Sequence, residues 1–393
     1  MELVSRGIRG VWRYCYDFTE NVQPRSGHKV VATKNYFYII GGFKDTGGAQ
    51  ILKEVFQYNK YTNVSVPIDV PNLPEELLSF SAVHFPFFEE ISESVVFLGG
   101  SSFPFGQTTT FFLHWMYFRN GRWNCVKIEE QDSCRVPEGR YGATVVFDET
   151  KQCIYAIGGT DGHSYFSDVY IGTFNYVPDG DNDLKFTVTW RQLCLRNPYA
   201  PLGSYKHETL LFKNKLYTFG GGNGTMTYDL HHIFVFDLAT NEYSVMEATN
   251  VLDKSTMPLP RKCFAISHIQ DRCYVFAGQV SIPDGEAPKS SDINDIWELN
   301  LNTMYWTLLR GCLMHPVFFL AAGTDAEGSV ILFGGNNSRG SRNNNLYRVD
   351  MHPLTLKSLI AEKLLKVKGS DEADEYKFVE SDVCHTILMQ KVI

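Results

Sequence analysis

The sequence predicts an all-β protein, a six-bladed β-propeller followed by a short C-terminal α-helical segment. Two observations carry this. A short apolar strand ending on two glycines, or on Ala-Gly in the fifth copy, occurs six times: Tyr36 to Ile40 before Gly41-Gly42, Ser94 to Leu98 before Gly99-Gly100, Cys153 to Ile157 before Gly158-Gly159, Lys215 to Phe219 before Gly220-Gly221, Arg272 to Phe276 before Ala277-Gly278, and Ser329 to Phe333 before Gly334-Gly335. The first residues of these pairs are 57 to 62 positions apart, the spacing of an array of structural repeats. In four copies a later strand opens on a large aromatic, at Trp123, Trp190, Tyr243 and Trp306.

Each unit follows from its parts. A run such as Cys153 to Ile157 is apolar on both faces and too short for a helix, as expected of a strand buried between layers. Glycines follow because the backbone turns there under close packing. A polar loop leads to a third strand, for example Val55 to Tyr58 or Ile296 to Leu299, and a turn leads to the aromatic-led outer strand. One more strand precedes each diglycine, as in Tyr141 to Val146, so four strands form a blade. The last repeat lacks its outer strand, because Val349 runs into Asp350-Met351-His352-Pro353. Residues 1–24 carry a strand-like run, Val11 to Tyr16, which is expected to complete that blade and remove both sheet edges, with Trp12 in the role of Trp123. The propeller then occupies residues 25–352, and 353–393 hold a helix and an acidic tail.

Composition narrows the function classes. In 393 residues, 44% are hydrophobic and 14% aromatic, which suits a large β core, and the net charge of −8 argues against a nucleic-acid or anionic-membrane surface. No apolar run is long enough to span a bilayer, and Met1 to Arg6 has no secretory apolar core. The nine cysteines are scattered without a Cys-x-x-Cys pair, so reduced thiols in the cytoplasm or nucleus are expected. No phosphate loop, nucleophile elbow or His-Glu-x-x-His pair occurs. His231-His232 reads as solvent-facing, and neither a cofactor nor a metal nor catalysis is expected.

Binding is the function the residues suggest. Arg25, Arg140, Lys206 and Arg261 open the first strands of four blades, where equivalent positions converge on the axis, so they would form a basic mouth for an anion. The alternative is that they bond carbonyls of neighbouring blades. The loops after the diglycines (43–52, 101–110, 160–167, 223–230, 279–294 and 336–344) are long and carry Phe103, Phe105, Tyr165 and Met226. Past Pro353, apolar residues at Leu356, Leu359, Ile360, Leu364 and Val367 have helical spacing.

The repeated order of apolar strand, diglycine, spacer, aromatic and Trp resembles the kelch repeat over about residues 25 to 350. Thr355-Leu356, Ile360 and Leu364, each four apart from Leu356 on, resemble the box by which substrate receptors of cullin-2 ubiquitin ligases dock on elongin C, with Ile360 where that box usually has Cys. Together with Arg25-Ser26-Gly27-His28, Pro104-Phe105-Gly106, Tyr205-Lys206-His207-Glu208 and the run Asp295 to Leu301, they make the chain resemble kelch-propeller receptors of that class. The resemblance implies a non-catalytic subunit that holds elongins B and C through Leu356, Leu359, Ile360 and Leu364. It also implies capture of target C-termini at Arg25, Phe103, Arg140, Tyr141, Tyr165, Tyr205, Lys206, His207 and Arg261. The competing expectation is a kelch scaffold that binds actin or a signalling partner by its rim loops, with the helix packed against the propeller.

Overall fold

The computed structural model describes residues 11–15 and 22–351, apart from 89–90, 132–135, 180–182, 194–198, 251–255, 283–288, 310–311 and 338. The C-terminal helix and its elongin-binding residues Leu356, Leu359, Ile360 and Leu364 lie outside the described residues.

Six four-stranded antiparallel blades follow one another along the chain, forming a kelch-type β-propeller. The innermost strands are Lys29–Ala32, Ser81–His84, Thr144–Asp148, Glu208–Phe212, Ala265–Ile269 and Ala321–Thr324. The diglycine strands come second in every blade and are almost wholly buried, as in Phe37–Ile40, Cys153–Thr160 and Ser329–Phe333. Burial on both faces is why these runs are apolar at every position rather than alternating. Blade 6 takes its fourth strand from Val11–Cys15, which pairs antiparallel with Leu346–Asp350, placing Trp12 opposite Val349. The side chain of Trp12 lies outside the described residues.

The diglycines join blade to blade. The amide of the second glycine donates to a carbonyl of the following blade at all six joints: Gly42 to Leu77 (2.8 Å), Gly100 to Arg140 (2.9 Å), Gly159 to Ser204 (2.8 Å), Gly221 to Arg261 (2.9 Å), Gly278 to Val317 (2.9 Å) and Gly335 to Arg25 (2.9 Å). At Gly100 a Cβ would come within 2.0 Å of the Glu76 carbonyl, and φ is +111°, so both space and conformation require glycine.

The outer-strand aromatics work across the same joints. Trp123 meets Tyr38 of blade 1 edge-on at 5.2 Å, and Trp190 meets Phe111 of blade 2 at 5.1 Å. The Tyr243 hydroxyl donates to the Ser167 carbonyl (3.0 Å), and Trp306 Nε1 to that of Leu230 (2.8 Å). Two outer edges are also paired with their neighbours, Glu129 with Thr187 between blades 2 and 3 and Thr249 with Tyr305 between blades 4 and 5. Pairing these edges leaves fewer strand groups open to other chains.

Candidate binding site at the propeller mouth

The chain enters each blade through one residue with positive φ: Gly27, Ser79, Gly142, Lys206, Cys263 and Phe319. The amides of five of them donate to the preceding member, from Ser79 to Gly27 (2.9 Å) round to Phe319 to Cys263 (2.8 Å). These six residues line a cavity on the axis, on the face where the diglycine loops emerge. The start of each blade therefore places one side chain at the opening, and the repeats differ most in chemistry there.

Lys206 dominates the opening. From blade 4 it reaches to blade 2, where Nζ donates to Ser79 Oγ at 2.7 Å, and it lies 4.7 Å from the centre of the Phe319 ring. No carboxylate among the described residues forms an ion pair with it. Burial pushes its pKa down to about 8, with the Cys263 and Glu208 side chains opposing and Lys29 adding to the fall. Deeper on the axis Lys29 of blade 1 and Glu208 of blade 4 approach at 3.5 Å, so that cation is already neutralised.

The expected basic mouth is corrected for the three arginines. Arg25, Arg140 and Arg261 are at most 3% exposed and turned inward. Each makes the same set of bonds. Nη1 donates to the first carbonyl of its own blade's diglycine pair, Gly41 (3.0 Å), Gly158 (3.1 Å) or Ala277 (3.0 Å). Nε donates to a carbonyl two residues back, and the guanidinium pairs with an acid at the start of the third strand: Glu54, Asp168 (2.5 Å) or Asp295 (2.7 Å). With their charge met at both edges, these groups fasten the blade instead of facing a ligand. The alternative of carbonyls in a neighbouring blade is also revised, since the guanidinium bonds diglycine carbonyls of its own blade, and it is the arginine's backbone that bonds across the joint. The repeat register sets Ser204 opposite these arginines. Lys206 is two residues further on, which is why it alone reaches the axis.

His207 is 2% exposed, with Nε2 3.1 Å from Thr144 Oγ1 across the joint between blades 3 and 4. Burial lowers its pKa to about 4, so it is neutral and holds the joint rather than offering charge.

The aromatic expectations divide. Tyr141, Tyr205 and Tyr165 do come together above the axis, with ring centres 5.5 Å apart for Tyr141 and Tyr205 and 6.3 Å for Tyr165 and Tyr205. Phe105 extends the cluster, 4.7 Å from Tyr141, and is 45% exposed. Phe103 stands apart, stacked on Phe43 of blade 1 at 6.1 Å. Arg342 also lies over the Phe43 ring, 4.6 Å from its centre, and is paired with Asp45. Phe105 was expected only as a binding-type aromatic of its loop, whereas Ser79 and Phe319 were not expected as site residues. Their signal was the position two after Arg25, which is Gly27 and Gly142 in two blades and a side chain in the other four.

The site is thus a narrow axial opening with one free ammonium, a serine hydroxyl and an aromatic wall on one side. It suits a small anion that carries an apolar neighbour.

The sequence matches the KLHDC2/KLHL20/DRC7 Kelch-repeats domain over residues 88–310 and a Kelch motif over 24–67. It is 26% identical to kelch domain-containing protein 10 of Rattus norvegicus over 355 residues, covering 87% of this chain and 79% of that protein. The protein of that name from Homo sapiens is 26% identical over 355 residues, covering 87% of this chain and 73% of its own length. The kelch domain-containing protein 10 homolog of Drosophila melanogaster is 26% identical over 357 residues, covering 83% and 55%. With six diglycine-linked blades and a domain match across more than half of its length, the chain belongs to the kelch-repeat family.

Proposed function

We propose that this protein is the substrate-recognition subunit of a cullin-RING E3 ubiquitin ligase. It captures the C-terminal tail of a target in the propeller mouth and docks elongins B and C, and through them cullin-2, by the helix expected from Pro353 onward. It works in the cytoplasm or nucleus, takes no cofactor and performs no chemistry itself; it holds the target near a ubiquitin-loading enzyme, where effective concentration does the rest.

The observation that supports the tail-binding half is Lys206, a half-buried ammonium on the axis without a carboxylate partner among the described residues. A chain end supplies a compact carboxylate with a side chain beside it. A charge-assisted bond contributes about 1.5–3 kcal/mol, short of the roughly 8 kcal/mol of a micromolar complex. The remainder would come from Ser79 and from packing on Tyr141, Tyr165, Tyr205 and Phe105. One cation rather than four makes the aromatic wall the larger part of the affinity.

Peptides ending in a free acid and in an amide test this by calorimetry. Amidation is expected to weaken binding at least tenfold in the native chain and to have little effect in Lys206→Met. Equal binding of acid and amide by the native chain would sink the tail-end reading and leave a kelch scaffold that uses its exposed rim aromatics. The elongin half has its own test, co-purification with elongins B and C, which Leu356→Asp is expected to abolish while the propeller remains folded.

The pH dependence has a definite sign. Lys206 is a cation below about pH 8 in the free protein and neutral above it. Affinity for a free-acid tail is therefore expected to hold steady from pH 6 to 7 and to decline as pH rises past 8. An amidated peptide should show no such decline.

A further inference from the structure

The pair His231-His232 has no third metal donor near it in sequence, but the fold supplies one. His232 begins the third strand of blade 4, and across the ladder it faces Glu247, the last residue of the outer strand. One potential ligand atom from each of His231, His232 and Glu247 lies within 4.8 Å of the other two. His232 and Glu247 are exposed and His231 half-buried, so the site is open to solvent and its side chains have room to rotate.

The hydrogen bonds around the two imidazoles decide which nitrogens remain basic. His231 Nδ1 lies 2.5 Å from the carbonyl of Ala248, an atom that only accepts, so Nδ1 carries the proton. His232 Nδ1 lies 3.1 Å from Asp229 Oδ2, again an acceptor. With Nδ1 engaged in this way, Nε2 is the atom through which each neutral ring would bind a metal. A carbonyl or carboxylate behind Nδ1 is also the arrangement that orients a metal-bound histidine and raises its basicity. Asp229 fixes the backbone as well, because Oδ1 accepts from the amides of His231 (2.8 Å) and His232 (2.7 Å). The rings stand edge to face with centres 4.5 Å apart.

We propose that His231, His232 and Glu247 bind a zinc ion, with the fourth position open. Two imidazoles and a carboxylate are a donor set of borderline character that suits zinc in a tetrahedral site. Such a site needs its ligand atoms about 3.4 Å apart, as follows from metal–ligand bonds of roughly 2.0–2.1 Å. Rotation of the exposed side chains closes the remaining gap. The position has a structural consequence. Immediately after Glu247 the chain crosses to blade 5, where Thr249 and Asn250 pair with Tyr305 and Trp306. Ala248 is held to His231 in both directions, its amide donating to the His231 carbonyl at 2.7 Å. A bound ion would clip the outer strand of blade 4 at this crossover, and the open position would accept water or a side chain of a docked protein.

The test uses the full chain without a polyhistidine tag, titrated with Co2+ as a spectroscopic probe and then with Zn2+ as competitor. The native protein is expected to develop the visible ligand-field band of four-coordinate cobalt, which one equivalent of Zn2+ removes. His232→Ala should abolish the band, and Glu247→Gln should weaken binding at least tenfold. Asp229→Asn keeps the Oδ1 that holds the turn but loses the carboxylate behind His232, and should weaken binding by about 10- to 100-fold. His163→Ala, at a separate exposed histidine, should change nothing. No cobalt band in the native chain, or one that survives both His232→Ala and Glu247→Gln, overturns the proposal. All four positions are on the surface, so unchanged melting of the metal-free variants will show that a lost band is not lost folding.

Discussion

Arg261→Ala is expected to lower the stability of the propeller by about 3–5 kcal/mol in urea unfolding, the cost of removing one partner from a buried ion pair. The guanidinium is wholly buried and forks onto both oxygens of Asp295, at 2.7 and 3.0 Å. Its other protons satisfy the carbonyls of Ala277 and Leu259. Truncation strands two carbonyls and a carboxylate at the point where the chain enters blade 5. Trp297 Nε1, which also donates to Asp295, cannot replace them. Arg261→Lys should recover only part of the loss, since an ammonium does not reproduce the planar fork. The exposed pair Lys53–Glu75 provides the contrast: Lys53→Ala should cost about 0–1 kcal/mol, because solvent screens it. Equal effects at Arg261 and Lys53 would contradict a fastening role for the buried arginines.

Trp306→Ala should cost a similar amount, about 3–5 kcal/mol, by a different mechanism. The indole is fully buried between blades 4 and 5, edge-on to Trp297 at 6.4 Å and to Phe219 at 6.5 Å. Alanine leaves a cavity there and an unpaired carbonyl at Leu230. Trp306→Phe separates the two terms: it keeps most of the volume, loses the hydrogen bond, and should cost about 1–3 kcal/mol. Hydrogen exchange should show the loss concentrated at the joint between blades 4 and 5. A loss spread evenly round the ring would mean that the joints do not act singly.

The arginine result shows how much of the site could be read ahead of the fold. Arg25, Arg140 and Arg261 recur at one repeat position, and Glu54, Asp168 and Asp295 recur at another, in the same three blades. Blades 2, 4 and 6 have Leu77, Ser204 and Val317 at the first position and Phe112, His232 and Asn345 at the second. The arginine and the acid are present together or absent together, which is the mark of an internal pair. Reading the arginines alone made them a basic mouth; reading both positions would have made them fasteners. The placement of Lys206 beside them had the same cause, an offset of two residues within a loop where no hydrophobic period sets the register.

Other parts of the site left no such trace. Tyr141, Tyr165 and Tyr205 belong to two different blades and meet only because the propeller curves their loops onto one rim. Phe103 and Phe105 are two residues apart, yet one stacks on blade 1 and the other on Tyr141. Glu247 is brought to His232 by a strand pairing.

What the sequence determined by itself was the all-β propeller, its six repeats, the strand that each diglycine ends and the aromatics that open the outer strands. These are local facts: a strand buried on both faces must be apolar throughout, and a backbone that bonds the next blade at close range must lack a side chain. What only the tertiary structure decided was which charges remain free. Whether a cation serves a ligand or the fold depends on the carboxylates and carbonyls within about 4 Å of it, and in a closed ring those neighbours come from residues far apart in the chain.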